Sequence, residues 1–375
     1  MRIGLTFDDV LLVPKRSSVF SRRDIDTSTL LSRNIKLQIP IVSSNMDTVT
    51  ESSMAIIMAQ QGGIGIIHRF MTVDEQVSEV RKVKRSEMIR IDNPYCLHPE
   101  HTLANAKEMM EDKGISGILV TDEKEKLVGI LTTRDIKFEE NGRVTLADLM
   151  STDLVTASPD ITTEEAQKIL KENRIEKLPL VDQEGFLKGL ITSKDIIKGK
   201  DLPTSSKDIK GRLLVGGAIG VKGDFLKRAE ALMNVNCDVL VLDIAHGHSD
   251  IAINAIKEIR KELGDVELIA GNVATAEGTK DLIDAGCDGI KTGIGPGSIC
   301  ITRIVTGAGV PQFTAIMDCS KIAKQYDVPI IADGGVQTSG DLTKAIAAGA
   351  STVMIGGLLA GTEESPGTVS YTHLT

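Results

Sequence analysis

A glycine-rich stretch that ends in a cysteine and a threonine carries the strongest chemical signal in the sequence. It reads K-T-G-I-G-P-G-S-I-C-I-T-R from Lys291 to Arg303 and follows a short apolar run. Its alternating glycines permit backbone conformations in which the main chain presses against a ligand. Cys300 can supply a thiolate nucleophile from such a loop, with the Thr302 hydroxyl two residues away. The alternative is a turn that ends in an ordinary, inert cysteine.

The composition is that of a globular chain with an acidic balance. Its 375 residues suffice for two or three domains, and 41% are hydrophobic. The net charge of −9 argues against nucleic acid or an anionic membrane as partner. The five cysteines form no C-x-x-C pair, which fits a reducing compartment, and no run has the apolar length of a membrane span. We therefore expect a cytoplasmic protein.

Apolar runs alternate with helical patterns in two separate parts of the chain. The candidate strands are 41–44, 64–67, 213–219, 239–243, 268–272, 290–293, 330–333 and 353–356. The clearest later helices are 223–235, 250–263, 276–285, 315–325 and 339–348. Eight strands that alternate with helices predict an α/β fold, a (β/α)8 TIM barrel. A doubly wound sheet is the alternative, but no G-x-G-x-x-G opens a helix after the first strand.

An internal repeat with an offset of 60 residues interrupts this alternation. Residues 92–148 and 152–204 are the two copies, best matched in G-I-L-T-T-R-D-I (129–136) and G-L-I-T-S-K-D-I (189–196). Two copies are too few for a solenoid, so we expect a pair that packs on itself. The predicted domains are thus 1–90 and 207–367 for the barrel, 91–206 for the repeat pair, and a tail at 368–375.

The two copies resemble cystathionine-β-synthase (CBS) modules. Each contains T-x-x-D, as Thr132 with Asp135 and as Thr192 with Asp195. These positions match those that hold a nucleotide ribose in that family. The alternative is that T-x-x-D only caps the helix that follows, because threonine and aspartate are good N-cap residues.

Polar and small residues follow the predicted strands one after another, and a barrel gathers such strand ends on one face. Asp333 and Gly335 follow the seventh strand, and Gly356 and Gly357 end the eighth, where barrels usually bind phosphate. Ser298 can add donors to the same phosphate. Asp333 would then accept hydrogen bonds from a ribose; the alternative is a helix cap.

Four further polar residues end apolar strands or follow them. Asp243 and Asn272 can orient an amide or a ribose, unless their own loops satisfy them. His246 and His248 have the H-x-H spacing of a metal-ligand pair, but no further ligand cluster accompanies them. We therefore do not expect metal catalysis from these histidines.

Together these residues resemble the IMP dehydrogenase/GMP reductase family. The loop G-I-G-P-G-S-I-C-I-T-R occurs in family order with T-F-D-D-V-L-L-V-P, N-M-D-T-V-T-E, D-I-A-H-G-H-S, G-N-V-A-T and A-D-G-G-V-Q-T-S-G-D. The resemblance covers residues 1 to about 367. It implies a barrel with a CBS insert that oxidises IMP to XMP with NAD, through a covalent thioimidate on Cys300. It also implies a purine nucleotide on the CBS pair and a homotetramer of the complete chain.

The resemblance assigns roles to individual residues. The residues that would bind IMP are Met46, Ser298, Asp333, Gly335, Gly356 and Gly357. Those that would contact the nicotinamide riboside are Asp243, Asn272 and Gly293. The carbonyls that would bind K+ are those of Gly295, Gly297 and Cys300. Thr302 would help to activate the hydrolytic water, and the regulatory nucleotide would contact Thr132, Asp135, Thr192 and Asp195.

Two alternative functions stay open. A GMP reductase shares the barrel, the cysteine and the threonine but uses NADPH, and N-M-D at 45–47 resembles it. Ile304, Val305 and D-I-A-H-G-H-S favour the dehydrogenase. The second alternative is a catalytically inactive nucleotide sensor, against which Cys300 and Thr302 count.

The end of the chain departs from the family pattern. The family continues past G-T-E-E-S-P-G with a mobile flap whose Arg-Tyr pair activates water. Here residues 368–375 read T-V-S-Y-T-H-L-T and match no family motif. We therefore expect a C-terminally shortened chain in which hydrolysis of the thioimidate is impaired.

Overall fold

The computed structural model describes residues 3–86, 90–91, 94–137, 139, 141–194, 196–197, 202, 204–298 and 300–367. The chain divides into two compact units, residues 1–86 with 204–375 and residues 87–203. The second boundary falls slightly before the predicted residue 206. The reason is that the Ser206 N–H already donates to the Ala59 carbonyl of the first unit at 2.8 Å.

The elements are numbered in chain order over the described residues. The strands are β1 (Thr29–Leu30), β2 (Lys36–Leu37), β3 (Ile41–Ser43), β4 (Ile64–Ile67), β5 (Arg90–Ile91), β6 (Cys96–Leu97), β7 (Gly117–Thr121), β8 (Leu127–Thr132), β9 (Lys177–Val181), β10 (Leu187–Thr192), β11 (Val215–Ile219), β12 (Val239–Asp243), β13 (Leu268–Val273), β14 (Gly289–Thr292), β15 (Ile330–Asp333) and β16 (Thr352–Ile355). The α-helices are α1 (Ser52–Gln60), α2 (Val73–Ser86), α3 (Leu103–Lys113), α4 (Leu146–Leu149), α5 (Thr163–Asn173), α6 (Phe225–Asn234), α7 (Asp250–Leu263), α8 (Ala276–Ala285), α9 (Thr302–Thr306), α10 (Gln312–Ala323) and α11 (Ser339–Ala348).

Parallel strands close the first unit into a barrel in the order β11–β12–β13–β14–β15–β16–β3–β4, and β4 pairs with β11. The strands are short and almost wholly buried, as expected where helices cover one face of each strand and side chains fill the other. The predicted (β/α)8 barrel is therefore confirmed, and a doubly wound open sheet is excluded by the closure.

The strand bounds agree with the predicted ones to within two residues. The helix predicted at 315–325 is α10, which begins at Gln312 because Pro311 serves as its N-cap. The agreement follows from a simple pattern, in which each apolar run ends where polar and glycine residues begin.

A hairpin made of β1 and β2 fills the amino end of the barrel. Leu31 and Leu37 are fully buried and pack against side chains of the barrel interior. The Arg33 N–H donates to the carbonyl of Asp288, which directly precedes β14. Because this end is filled, a ligand site belongs at the opposite, carboxyl end of the strands.

The second unit contains the same elements twice, 60 residues apart. Helix α3 corresponds to α5, strand β7 to β9, and strand β8 to β10. The two sheets have the orders β6–β7–β8 and β5–β10–β9. Each of the two helices opens with a capping box, at Thr102 and Thr162. Among the described helices of the whole chain, none is long and apolar enough to cross a membrane.

Candidate active site

The cysteine loop connects β14 to the short helix α9. The Cys300 N–H donates to the Gly297 carbonyl at 3.0 Å, and its Sγ donates to Thr302 Oγ1 at 3.3 Å. Arg303 ties the loop to its surroundings by donating from Nη2 to the Val310 carbonyl at 2.6 Å. The thiol and the threonine hydroxyl are thus direct neighbours.

Of the other four cysteines, Cys237, Cys287 and Cys319 are buried, and Cys96 is half-buried like Cys300. Burial raises the pKa of Cys96 to about 11 and that of Cys237 to about 12. It also raises the pKa of Cys287 and of Cys319. These four side chains therefore stay thiols near neutral pH. Cys300 is distinguished by its position on the glycine-rich loop beside the Thr302 hydroxyl.

A cavity of about 360 Å³ opens at the carboxyl end of the barrel, within the size range of small-molecule sites. The structure brings together in its lining every residue that the family resemblance assigned to the substrate. They are Met46, Ser298, Asp333, Gly335, Gly356 and Gly357. Gly297 of the cysteine loop lines the same cavity.

Two glycines leave open space beside hydroxyl groups in this cavity. A Cβ on Gly357 would lie 3.1 Å from Ser298 Oγ, and one on Gly356 would lie 2.9 Å from Ser44 Oγ. Ser44 Oγ is buried and has no hydrogen-bond partner in the described part of the chain. An unpaired hydroxyl next to space that only glycine leaves free suits the oxygens of a phosphate.

A buried lysine lies between two of the aspartates that the sequence singled out. Lys291 Nζ donates to Asp243 Oδ1 at 2.9 Å and to Asp333 Oδ2 at 2.8 Å. The Lys291 side chain is only 4% exposed. The two carboxylates end strands β12 and β15, so the lysine joins strand ends that lie three positions apart in the order of the barrel.

These charges hold one another ionised. Burial lowers the pKa of Lys291, but attraction to Asp243 and Asp333 raises that pKa by more, so it lies above its ordinary value. Burial raises the pKa of Asp243, but Lys291 and, more weakly, Arg69 bring it below its ordinary value. The site thus keeps charged groups in a buried setting.

Asn272 extends the network towards the cysteine loop. Its Nδ2 donates to the Gly293 carbonyl at 2.8 Å and to Asp333 Oδ2 at 2.9 Å. Its Oδ1 is buried without a partner among the described residues. Gly293 admits no side chain, because a Cβ there would lie 2.2 Å from the Asp333 carbonyl oxygen. The unpaired amide oxygen fits a ligand donor such as a carboxamide or a ribose hydroxyl, as NAD offers.

The residues considered as metal ligands fall into two groups, the backbone carbonyls of the cysteine loop and the pair His246 and His248. The Gly297 carbonyl accepts one hydrogen bond, from Cys300, and keeps a second lone pair that a monovalent cation can use.

His248 Nε2 contacts Asp281 Oδ2 at 2.9 Å, and its ring lies 6.4 Å from that of His246. In the part of the chain that the structure describes, no group of three His, Cys, Asp or Glu side chains is placed to hold a metal.

The repeat pair has its own cavity of about 360 Å³, which includes Thr132 and Asp135. The Thr132 N–H and Oγ1 both donate to Asp135 Oδ2 at 2.7 Å. One oxygen of the aspartate therefore closes a local turn, while the residue also borders the cavity. Thr192 ends β10, and Asp195 lies outside the described residues.

Sequence reasoning missed three polar residues of the barrel site: Lys291, Ser44 and Gln312. Gln312 Nε2 donates to the carbonyls of Thr292 and Asp333, at 3.0 and 3.1 Å. Lys291 left a readable signal, since a charged residue in the middle of a buried strand requires a partner. Ser44 and Gln312 left no comparable signal.

Comparison with known proteins agrees with this geometry. Residues 4–373 match the model of the IMP dehydrogenase/GMP reductase domain. An inosine-5'-monophosphate dehydrogenase from Nitrosopumilus maritimus is 60% identical over 98% of this chain and 77% of its own length. The Bacillus subtilis protein of that name is 54% identical over 97% of this chain and 75% of its own length.

The chain belongs to the IMP dehydrogenase/GMP reductase family. Solved structures of this family include a GMP reductase variant from Trypanosoma brucei in complex with guanosine 5'-monophosphate. It matches with a TM-score of 0.94 and 46% identity, over 99% of this chain and 79% of that one. A GMP reductase from the same organism in complex with guanosine 5'-triphosphate matches with a TM-score of 0.93 and 47% identity, over 98% and 89%.

Proposed function

We propose that the chain is an IMP dehydrogenase, an NAD-dependent oxidoreductase that converts IMP to XMP. The observation that carries the proposal is the cavity at the carboxyl end of the barrel, one wall of which is the loop that bears Cys300. The Cys300 thiol and the Thr302 hydroxyl lie 3.3 Å apart on that loop. The identities of 60% and 54% to inosine-5'-monophosphate dehydrogenases support the same activity.

In this proposal Cys300 is the nucleophile. Its thiolate forms a C–S bond to C2 of the hypoxanthine, and C2 then loses a hydride, which leaves a thioimidate on the cysteine. Water adds to C2, the C–S bond breaks, and XMP and the thiol are released. The overall reaction consumes IMP, NAD and water and yields XMP, NADH and a proton. Covalent attachment replaces one difficult oxidation by two easier steps.

The remaining site residues orient the substrates. Ser298, Gly335, Gly356 and Gly357 hold the IMP phosphate, and Asp333 accepts from its ribose, with Met46 alongside. Asp243, Asn272 and Gly293 hold the nicotinamide riboside. When bound, NAD accepts the hydride. Thr302 orients water next to the thioimidate. The carbonyls of Gly295, Gly297 and Cys300 bind K+, which orders the loop.

We extend the proposal to the repeat pair, residues 91–206, as a CBS module that binds a regulatory purine nucleotide. Thr132 and Asp135 of the first copy line a cavity that residues of both copies border, which supports a ribose contact there. Thr192 and Asp195 are the equivalent pair of the second copy by sequence.

A second function, GMP reductase, is favoured by one observation. The solved structures with TM-scores of 0.94 and 0.93 are GMP reductases, and they share the barrel and much of the sequence. The identities of 46% and 47% to those proteins are lower than those to the dehydrogenases. We therefore keep the reductase as the alternative.

A stopped-flow record of NADH absorbance tests the proposal. The 375-residue chain is mixed with IMP and NAD in the presence of K+. We expect one NADH per chain in the first turnover, together with a gain in protein mass equal to the attached nucleotide. No NADH with IMP, combined with NADPH consumption in the presence of GMP, would establish the reductase instead. Absence of both reactions would contradict catalysis by this site.

A further inference from the structure

The strand register explains how Lys291 reaches both aspartates. Asp243, Gly271 and Lys291 are paired in one row across β12, β13 and β14. Gly271 has no side chain, and a Cβ there would lie 2.5 Å from Lys291 Cβ. The lysine therefore passes over the glycine to Asp243, two strands away, while Asp333 lies on the neighbouring strand on its other side.

The contacts of the cluster leave specific atoms for ligands. The donors from Lys291 and Asn272 both meet at Asp333 Oδ2, and neither contacts Oδ1. Asp333 lines the substrate cavity. On the other side, Lys291 contacts only Oδ1 of Asp243. Each aspartate thus accepts a hydrogen bond from Lys291 through one oxygen, while its second oxygen makes no contact with Lys291.

We infer that Lys291 is a positioning residue that couples the two halves of the site, by holding Asp333 for the IMP ribose and Asp243 for the nicotinamide riboside. The inference rests on the proposed function. No role was assigned to Lys291 by the sequence motifs. Lys291 is not part of the described lining of the cavity. It acts through the two carboxylates.

The charges around Lys291 determine how removal of its ammonium affects ligand binding. The charged groups facing the Lys291 ammonium are Asp243 on β12 and Asp333 on β15, and Arg69, after β4, lies near Asp243. Without the ammonium, two half-buried carboxylates share one region, and Arg69 is a remaining positive charge near Asp243 among the described residues. Like charges at such a site push the pKa of one carboxyl upward. Wild-type binding is therefore insensitive to pH near neutrality, and binding by the variant is sensitive.

The test compares Lys291→Met with Lys291→Arg. In Lys291→Met we expect the IMP dissociation constant, measured by calorimetry without NAD, to rise about 10- to 100-fold at neutral pH, and KM for NAD to rise as well. In Lys291→Met this dissociation constant falls as the pH rises from about 6 to 9, because Asp243 and Asp333 then lose the proton that they share and Asp333 can accept from the ribose. Lys291→Arg keeps the positive charge and should restore a flat pH profile.

Lys84 offers a matched control. It is a second buried lysine between two aspartates, Asp208 and Asp238, away from the cavity. Lys84→Met should lower the stability of the chain but leave the IMP dissociation constant, KM for NAD and their pH profiles at wild-type values. A loss of binding common to both variants would mean that Lys291 is only structural.

A double variant keeps the test decisive if Lys291→Met does not fold. Lys291→Met with Asp243→Asn retains one carboxylate and avoids the repulsion. It should bind IMP at least about threefold more weakly than Asp243→Asn alone at pH 7.5, because Asp333 loses its ammonium only in the double variant. Unchanged IMP and NAD constants in Lys291→Met overturn the inference, as does an IMP constant equal to that of Asp243→Asn where only the double variant folds. A wild-type chain that forms no NADH refutes the proposed function itself, which separates the two failures.

Discussion

Strand β12 has a buried lysine cluster at each of its ends, and the cluster at the carboxyl end contributes an aspartate to the substrate cavity. At the amino end, Lys84 Nζ contacts Asp208, Asp238 and the Leu213 carbonyl. Asp238 also accepts the Val215 N–H at 2.8 Å. Both contacts use Oδ2 of Asp238, and Asp208 accepts through both of its oxygens from Lys84, Lys210 and Arg212.

At the carboxyl end, Lys291 contacts only the two aspartates, and polar atoms nearby lack partners among the described residues. These atoms are Asn272 Oδ1 and Gln312 Oε1. Such atoms are costly unless a ligand satisfies them, but Ser206 Oγ, two residues before Asp208, also lacks a partner in the described part of the chain. What sets the carboxyl-end cluster apart is that its Asp333 lines the substrate cavity. The same ionic arrangement therefore stabilises loops at one end and prepares a site at the other.

The largest expected effect comes from replacing one cysteine at each end of the barrel by serine, Cys300 at the carboxyl end and Cys287 at the amino end. Cys300→Ser should reduce IMP-dependent NADH formation by about a thousandfold or more, because a serine hydroxyl is a much poorer nucleophile. Its urea unfolding midpoint should match that of wild type, since Cys300 is half-buried in a loop.

Cys287→Ser is the matched control. Cys287 is 1% exposed and precedes β14 at the amino end. A buried hydroxyl without a partner costs about 1–3 kcal/mol, so stability should fall while the NADH burst persists. A burst from Cys300→Ser would contradict the assignment of the nucleophile.

A smaller effect is expected at the amino-end lysine. Lys84→Met leaves two aspartates without their buried ammonium, and breaking such a cluster costs about 3–5 kcal/mol. Urea unfolding measures the loss, and the first-turnover rate at low temperature should remain that of wild type. A variant as stable as wild type would show that the cluster is not structural, and the contrast between the two ends would fail.

The smallest effect concerns acid stability. Burial raises the pKa of Asp208, but Lys84 and a hydrogen bond from Arg212 lower it by more, so the pKa lies below its ordinary value. The folded chain therefore binds fewer protons at this group than the unfolded chain. Its contribution to stability is present above pH about 4 and is lost as the pH falls through the folded pKa.

Urea unfolding across pH about 3 to 6 checks this prediction. The free energy of unfolding of wild type should decrease towards acid, and Asp208→Asn should flatten that slope. Equal slopes in the two proteins would contradict the assigned direction.

The barrel could be predicted because its local signals agree. Apolar runs such as 239–243 end at a polar residue, and each is followed by a helical pattern, so the strands were located to within two residues. The loop that bears Cys300 could be predicted because its glycines and its cysteine lie within thirteen consecutive residues.

The lysine cluster could not be predicted in this way. Asp243 and Asp333 lie 48 and 42 residues from Lys291, and only the barrel register brings them into contact. The orphaned atoms of Asn272 and Gln312 likewise arise from three-dimensional packing and have no pattern in the sequence. Local chemistry was readable, whereas coupling between strands required the closed sheet.

The row that joins Gly271 to Lys291 has a consequence for how this barrel can diverge. A Cβ at 271 would lie 2.5 Å from the backbone oxygen of Lys291 as well as from its Cβ, so glycine is required at 271 whatever longer side chain stands at 291. Descendants that acquire new cofactor preferences at this site are therefore expected to keep glycine at 271 and to vary at 291 together with its aspartate partners.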